Sequence, residues 1–223
     1  KKILSLKGSI MALASEKSPI IEMFSVKEKL ATRTTLTGAN LILILIGSLL
    51  LAISAQYKVP LGPVPITLQS MVVMLIALMY GWKLGTATIF AYWTEGILVG
   101  GLFSFVPWFA NGSGLGYFIG SPSAGFLWGF LPMVLVISYL AHNRAWQQNI
   151  IKLILALLAG QIALYVFGLT HAYVVVMPFV DWMNSPAEMI AIYLSPFIIG
   201  DLLKTMIAAL VIIYFSKNMK KFD

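Results

Sequence analysis

Asp201 and Lys204 are an acid and a base three residues apart within SPFIIGDLLKTMIAALVIIYF, a segment otherwise apolar enough to cross a bilayer. On a helix this spacing places both side chains on one face, where opposite charges partly neutralise each other. A charge near the bilayer centre costs roughly 2.5–3.5 kcal/mol on insertion scales, so intramembrane charges usually have a function. Such a pair could bind a polar ligand or exchange protons. Alternatively, it could be a self-compensated ion pair that only fixes the helix register.

The composition indicates an integral membrane protein. Of 223 residues, 60% are hydrophobic and only 10% are charged, and the mean hydropathy is +0.91, values that soluble domains do not show. The absence of cysteine excludes a disulfide framework and thiolate chemistry. Two histidines without cysteine or a carboxylate cluster predict no metal site. The net charge of +7 could suggest nucleic acid, but the positions of the charges favour membrane topology.

The apolar runs predict an all-α membrane protein with six transmembrane helices, each near the length that crosses about 30 Å of hydrocarbon. We place them at 37–57, 66–82, 84–103, 122–141, 150–172 and 196–216. Thirteen of the 15 lysines and arginines then lie on one side of the membrane, which predicts that both termini are cytoplasmic. The chain accordingly divides into an N-terminal cytoplasmic or interfacial segment, a membrane domain and a basic tail, at 1–36, 37–216 and 217–223.

Two connections on the predicted outer side have unusual compositions. The first carries three prolines, which make it stiff and extended: Pro60, Pro63 and Pro65. The second, between the third and fourth spans, is aromatic, uncharged and glycine-rich, which favours a loop buried at membrane depth. Because the last span begins on this side, Asp201 and Lys204 lie one to two helical turns below the outer surface. The sequence predicts an outward-facing pocket for a small ligand with an anionic end and neutral hydrogen-bonding groups.

Three separated segments resemble the BioY family, the biotin-binding S components of energy-coupling-factor (ECF) vitamin transporters. They are VPITLQ after the proline-rich connection, SPSAGFLWGF after the glycine-rich loop, and PFIIGDLLK in the last span. The family's Pro-x-Pro-x-Thr-Leu-Gln-like segment falls at Pro63 to Gln69, and its Gly-Asp-x-x-Lys element at Gly200 to Lys204. The family has a turn that is often written GPTGGY. This sequence departs from it, because Gly120 to Phe126 reads GSPSAGF. The resemblance covers about 40–216.

The resemblance implies a biotin-binding membrane subunit that mediates biotin uptake, and not an enzyme. It would capture biotin from the outer side of a bacterial or archaeal cytoplasmic membrane. It would need no cofactor of its own, and the sequence has no phosphate-binding Gly-Lys-Ser/Thr loop. ATP would be used by two cytoplasmic ATPase subunits, coupled through a transmembrane T subunit. Riboflavin or thiamine specificity is the nearest alternative within this class of proteins.

Biotin offers a carboxylate, two ureido N–H donors and one ureido carbonyl acceptor. Asp201 would accept a ureido N–H, and Lys204 would meet the carboxylate or the ureido oxygen. Asn111 would also bind the ureido group, unless it only satisfies the loop backbone. Tyr92 would lie against the thiophane ring, unless it is an ordinary core or interface aromatic.

Other polar and flexible positions complete the predicted ligand set. Glu95 would contact the ligand, pair with Lys204 or hold the glycine-rich loop. Thr67 and Gln69 would line the pocket or cap the second span. Gly112, in the glycine-rich loop, is included as a ligand-binding position.

On the first helix, small residues form the docking face that the resemblance implies: Ser48, Ala52 and Ala55. Small residues let helices approach closely, so these could equally pack against the protein's own helices. Two other classes of protein remain as alternatives. A solitary transporter of another small organic anion should show inverted repeats, and an intramembrane enzyme should show a nucleophile or metal motif. Neither signature is found in the sequence.

Overall fold

The computed structural model describes residues 33–102, 107–142 and 144–219. Within these ranges, the chain is almost entirely helical, with one small antiparallel hairpin: α1 (Arg33–Gln56), β1 (Lys58–Val59), β2 (Ile66–Thr67), α2 (Gln69–Leu102), α3 (Gly114–Gly120), α4 (Ala124–Leu140), α5 (Arg144–Gln147), α6 (Ile150–His171), α7 (Pro186–Tyr193) and α8 (Ile198–Met219). A π-helical turn and a 3-10 turn extend α6, at Ala172–Val176 and Met177–Phe179. A second 3-10 turn, Ser195–Phe197, precedes α8.

Helix lengths confirm the all-α membrane class. Four of the described helical segments are long and apolar enough to cross a bilayer: Gly38–Gln56, Gln69–Val99, Ile150–Phe179 and Pro186–Ser216. A fifth span is possible if α3 and α4, which meet at a bend of 79°, are taken together. The cytoplasmic location of both termini and the three-part division of the chain stay predictions, and residues 1–32 lie outside the described residues.

Gly81 separates the predicted second and third spans inside the single element α2. Its backbone has φ 70° and ψ −177°, in the left-handed region that favours glycine because it has no Cβ. The break lies two residues before Lys83, close to the predicted boundary. The predicted second and third spans thus both fall within α2, and the other four overlap α1, α4, α6 and α8. That the chain crosses the membrane six times stays a prediction.

Some element boundaries differ from those expected. Ile66 and Thr67 were expected at the start of the second span, but they pair with Val59 and Lys58 as strand β2, so the helix begins at Gln69. The short helix α7, which precedes the last span, was not predicted. Its N-terminus is well defined, because Ser185 Oγ accepts a hydrogen bond from the backbone N–H of Glu188 at 3.3 Å.

The core consists of two apolar clusters. The larger one is formed by buried side chains of the long helices, such as Leu51, Met74, Ile89, Met133 and Leu157. The smaller one lies under the loops and contains Val64, Met183, Tyr193 and Phe197. Because Val64 belongs to the β1–β2 connection, the second cluster holds this connection against α7 and the start of α8.

The predicted docking residues of α1 lie inside the chain. Ser48, Ala52 and Ala55 have relative exposures of 1%, 6% and 0%, and Ser48 Oγ is 2.9 Å from Glu95 Oε1 on α2. The alternative that these small residues pack against the protein's own helices is therefore the arrangement in the structure. On the opposite side of α1, Ile46, Leu50 and Ile53 are 48%, 48% and 46% exposed, as expected for a helix that faces lipid or another membrane helix.

Close packing of α4 on α6 depends on glycine, which leads to a prediction. A Cβ at Gly129 would lie 2.9 Å from the carbonyl oxygen of Leu164, and this backbone atom cannot move without displacing α6. We expect Gly129→Ala to lower the free energy of unfolding by about 1–3 kcal/mol, the usual cost of overpacking. Thermal unfolding in detergent would measure the change.

Gly116→Ala is the matched control, because a Cβ at Gly116 has no heavy atom within 4 Å. It should leave the midpoint of thermal unfolding nearly unchanged. Equal midpoints for the two variants would contradict the proposed close contact between α4 and α6.

Candidate ligand-binding site

A cavity of about 550 Å³, including the space at its mouth, lies between α2, α4, α6, α8 and the loops. Its wall combines aromatic and aliphatic side chains with a small set of polar groups, and both members of the predicted charge pair line it. The cavity is therefore the candidate functional site.

The acid and the base of the last span form a buried ion pair. Lys204 Nζ donates to Asp201 Oδ1 at 2.9 Å, and the two residues are only 7% and 8% exposed. Lys204 Nζ also donates to Ser70 Oγ at 3.2 Å, and Ser70 Oγ is 3.4 Å from Asp201 Oδ1. A buried pair needs such additional hydrogen bonds, because both charges have lost their hydration.

Tyr165 of α6 completes this polar cluster. Its hydroxyl donates to Asp201 Oδ2, the carboxylate oxygen that Lys204 does not bind. Thus α2, α6 and α8 each contribute a side chain to one charge-neutral group, which we call the polar cluster: Ser70, Tyr165, Asp201 and Lys204. Tyr165 was not predicted from the sequence, since a tyrosine in an apolar helix carries no distinctive signal. Ser70 was not predicted either, although it directly follows the VPITLQ segment.

Thr67 and Gln69 line the cavity, as one of their two predicted roles requires. Thr67 Oγ1 also accepts a hydrogen bond from the backbone N–H of Gln69 at 3.3 Å, so it helps to satisfy the first turn of α2. Gln69 Nε2 donates to the hydroxyl of Tyr92 at 2.7 Å. The lining and capping roles of Thr67 are therefore compatible.

Tyr92 and Glu95 do not line the cavity. Tyr92 is fully buried behind Gln69, and its ring packs edge-on against Phe109 with centroids 5.4 Å apart. Glu95 is hydrogen-bonded to Ser48 on α1, away from Lys204. In this structure Tyr92 supports the wall of the site, and Glu95 supports the α1–α2 interface. Direct contact of either residue with a ligand stays a prediction.

Asn111 and Gly112 belong to the loop before α3 and are also absent from the lining. Asn111 is exposed, and its Oδ1 accepts a hydrogen bond from Lys58 Nζ at 2.8 Å. The Gly112 carbonyl accepts one from the backbone N–H of Phe109 at 2.8 Å. A Cβ at Gly112 would lie 2.6 Å from the Tyr117 ring, so glycine is required for this ring to pack.

Phe126 is the centre of an aromatic wall in the cavity. Its ring stacks on Phe197 and Tyr193, with centroids 6.1 and 6.3 Å apart, and Tyr165 meets it edge-on at 6.0 Å. Neither Phe126 nor Phe197 was predicted as a site residue. Both lie within segments that carry the family resemblance, SPSAGF and PFIIGD, so the signal was present.

Comparisons with known proteins identify relatives along most of the chain. The sequence profile of the BioY family matches residues 27–221. A biotin transporter BioY of Thermotoga maritima is 32% identical over 75% of this chain and 90% of that protein. Another, of Rhodobacter capsulatus, is 34% identical over 75% of this chain and 87% of that protein.

A solved structure shares the fold. It is the crystal structure of the S component for biotin from an ECF-type ABC transporter, with a TM-score of 0.67 and 22% sequence identity. The similarity covers 84% of this chain and 95% of that one, so the two chains share the same overall arrangement of helices. The profile match and the two transporters identify this chain as a member of the BioY family.

Proposed function

We propose that this protein is the biotin-capturing S component of a biotin uptake system. Family membership and the names of the relatives support this proposal. The observation that carries it is the polar cluster at the edge of an aromatic cavity. The chain would take up biotin from the outer side of a bacterial or archaeal cytoplasmic membrane and deliver it inward.

The polar cluster suits the ureido group. Asp201 presents acceptor oxygens and Lys204 presents donor N–H groups, and their bonded atoms are 2.9 Å apart. A cyclic urea likewise has N–H donors next to a carbonyl acceptor, so one molecule can meet both side chains. The aromatic wall around Phe126 offers an apolar surface to the fused thiophane ring. The ligand would be recognised by hydrogen bonds and burial, without any covalent step.

Energy for uptake would come from ECF partner subunits. A transmembrane T subunit would contact this chain within the membrane, and cytoplasmic ATPase subunits would hydrolyse ATP. Docking through Ser48, Ala52 and Ala55 would require α1 to move relative to α2, because these side chains are buried between the two helices. The exposed apolar side of α1 supports contact with a membrane partner without such a movement.

Equilibrium binding to the detergent-purified chain, without nucleotide, tests the proposal directly. We expect tight, saturable binding of biotin that is selective over riboflavin and thiamine. Asp201→Asn should weaken it strongly, because the amide keeps the shape but removes the charge that Lys204 and Tyr165 bind. A folded sample that binds none of these vitamins would refute the biotin assignment.

Removing the base should affect both stability and binding. Lys204→Ala leaves the Asp201 carboxylate buried without a cation, which typically costs about 3–5 kcal/mol. We expect a lower midpoint of thermal unfolding, a lower folded yield and loss of biotin binding. The double variant Asp201→Asn/Lys204→Met, which buries no charge, should recover stability but not binding. Wild-type affinity in Lys204→Ala would exclude Lys204 as a ligand contact.

Two tyrosines of the aromatic wall provide a matched pair of variants. Tyr165→Phe removes one hydrogen bond to a charged group, worth about 1.5–3 kcal/mol of stability, and it should weaken biotin binding because the Asp201 carboxylate loses the donor that holds it in place. Tyr193→Phe removes a buried hydroxyl that has no partner among the described residues and should leave affinity unchanged. Calorimetric titration would compare the biotin affinities of the two variants. If Tyr165→Phe loses no more affinity than Tyr193→Phe, the Tyr165 hydroxyl does not contribute to binding and Tyr165 acts only through its ring.

A further inference from the structure

The charge balance of the cavity restricts how an anionic ligand can bind. Among the described residues that line it, the only charged side chains are Asp201 and Lys204, and these already neutralise each other. A ligand carboxylate placed beside them would bring the buried group to a net charge of −1. Uncompensated charge in a low-dielectric site is strongly unfavourable, so the carboxylate needs a cation elsewhere.

Lys204 has little capacity left for a second anion. Of its three N–H donors, one is directed to Asp201 and one to Ser70. A ligand carboxylate at the third donor would lie close to the Asp201 carboxylate, and like charges at short distance repel. The remaining donor is better matched to a neutral acceptor such as the ureido oxygen.

Among the described segments at this end of the molecule, residues 57–68, 107–123 and 172–197, Lys58 is the one lysine or arginine. It is directly opposite Thr67 in the β1–β2 hairpin, and paired residues in antiparallel strands project from the same face. Thr67 lines the cavity, so Lys58 projects from the cavity side of the hairpin.

Two hydrogen bonds hold the Lys58 ammonium at the rim of the cavity. It donates to the carbonyl oxygen of Ala110, which lines the cavity, and to Oδ1 of the exposed Asn111 at 2.8 Å. Gln56 secures the same loop, because its Nε2 donates to the carbonyls of Pro107 and Phe109 at 2.7 and 3.2 Å. An ammonium has three donors, so these bonds fix its position and leave one N–H for a ligand.

We infer that Lys58 forms a carboxylate-binding subsite at the mouth of the cavity. The inference rests on the proposed function and orients the ligand: the neutral ureido head lies at the polar cluster, and the flexible chain extends its carboxylate to Lys58. Both parts of the ligand then find matching groups, and the Asp201–Lys204 pair remains intact. This orientation also assigns Lys204 to the ureido oxygen.

Calorimetric titration of the protein with biotin and with its neutral amide, biotinamide, tests this inference. The wild type should bind biotin about tenfold or more tightly than biotinamide, the scale of a charge-assisted hydrogen bond. Lys58→Met should abolish this preference by weakening biotin binding alone. Lys58→Arg, which keeps the charge, should retain it, and salt should reduce it in the wild type because the rim is accessible to ions.

Lys83→Met is the charge-matched control. It also removes one positive charge, but Lys83 is exposed next to the Gly81 break of α2, where it lies over the Trp82 ring. It should change neither affinity. If Lys58→Met weakens both ligands equally, Lys58 only supports the loop, and the subsite is refuted.

Two further outcomes separate this inference from the proposed function. If Lys58→Met still prefers biotin over biotinamide as strongly as the wild type, the subsite is refuted. If the preference is lost in Lys204→Met but kept in Lys58→Met, the carboxylate binds at the polar cluster instead. A wild-type chain that binds neither biotin nor biotinamide would instead refute the proposed function.

Discussion

The buried ion pair between Asp201 and Lys204 is the constraint on which the rest of the site depends. Neither charge can be dehydrated alone, and even together they require more hydrogen-bonding partners than one helix supplies. Ser70 from α2 and Tyr165 from α6 provide these partners. Three helices must therefore meet at one point, and the position of that point determines where the cavity lies.

The packing around the pair meets this geometric requirement. Glycines on α4, such as Gly129, allow its backbone to approach that of α6, and α6 carries Tyr165. On the loop side, Val64 packs in one cluster with Tyr193 and Phe197. The polar cluster and the aromatic wall are thus parts of one packed unit. A small ligand meets groups that are already in place, which reduces the entropy lost on binding.

Short-range patterns in the sequence predicted much of this structure. Hydropathy identified the membrane class, and a three-residue spacing identified the Asp201–Lys204 pair. The partners of that pair were not predictable in this way, because Ser70 lies 131 residues from Asp201 and Tyr165 lies 36 residues away. Ser48 shows the same limit: a small residue on a helix indicates close packing, but not which helix packs there. A resemblance located the segments, and only the fold showed which side chains face the cavity.

The neutral polar cluster and the charged Lys58 at the rim contribute to ligand recognition in different ways. Because Asp201 and Lys204 cancel, they exert little attraction on a distant anion, and their contribution is to reject ligands that leave either partner unpaired. Attraction over a distance must come from an uncompensated charge near solvent, where its reach is about 8 Å at physiological salt. Lys58 at the rim has that property. Capture would then begin with the carboxylate at the mouth, and selection would follow when the ureido ring reaches the polar cluster.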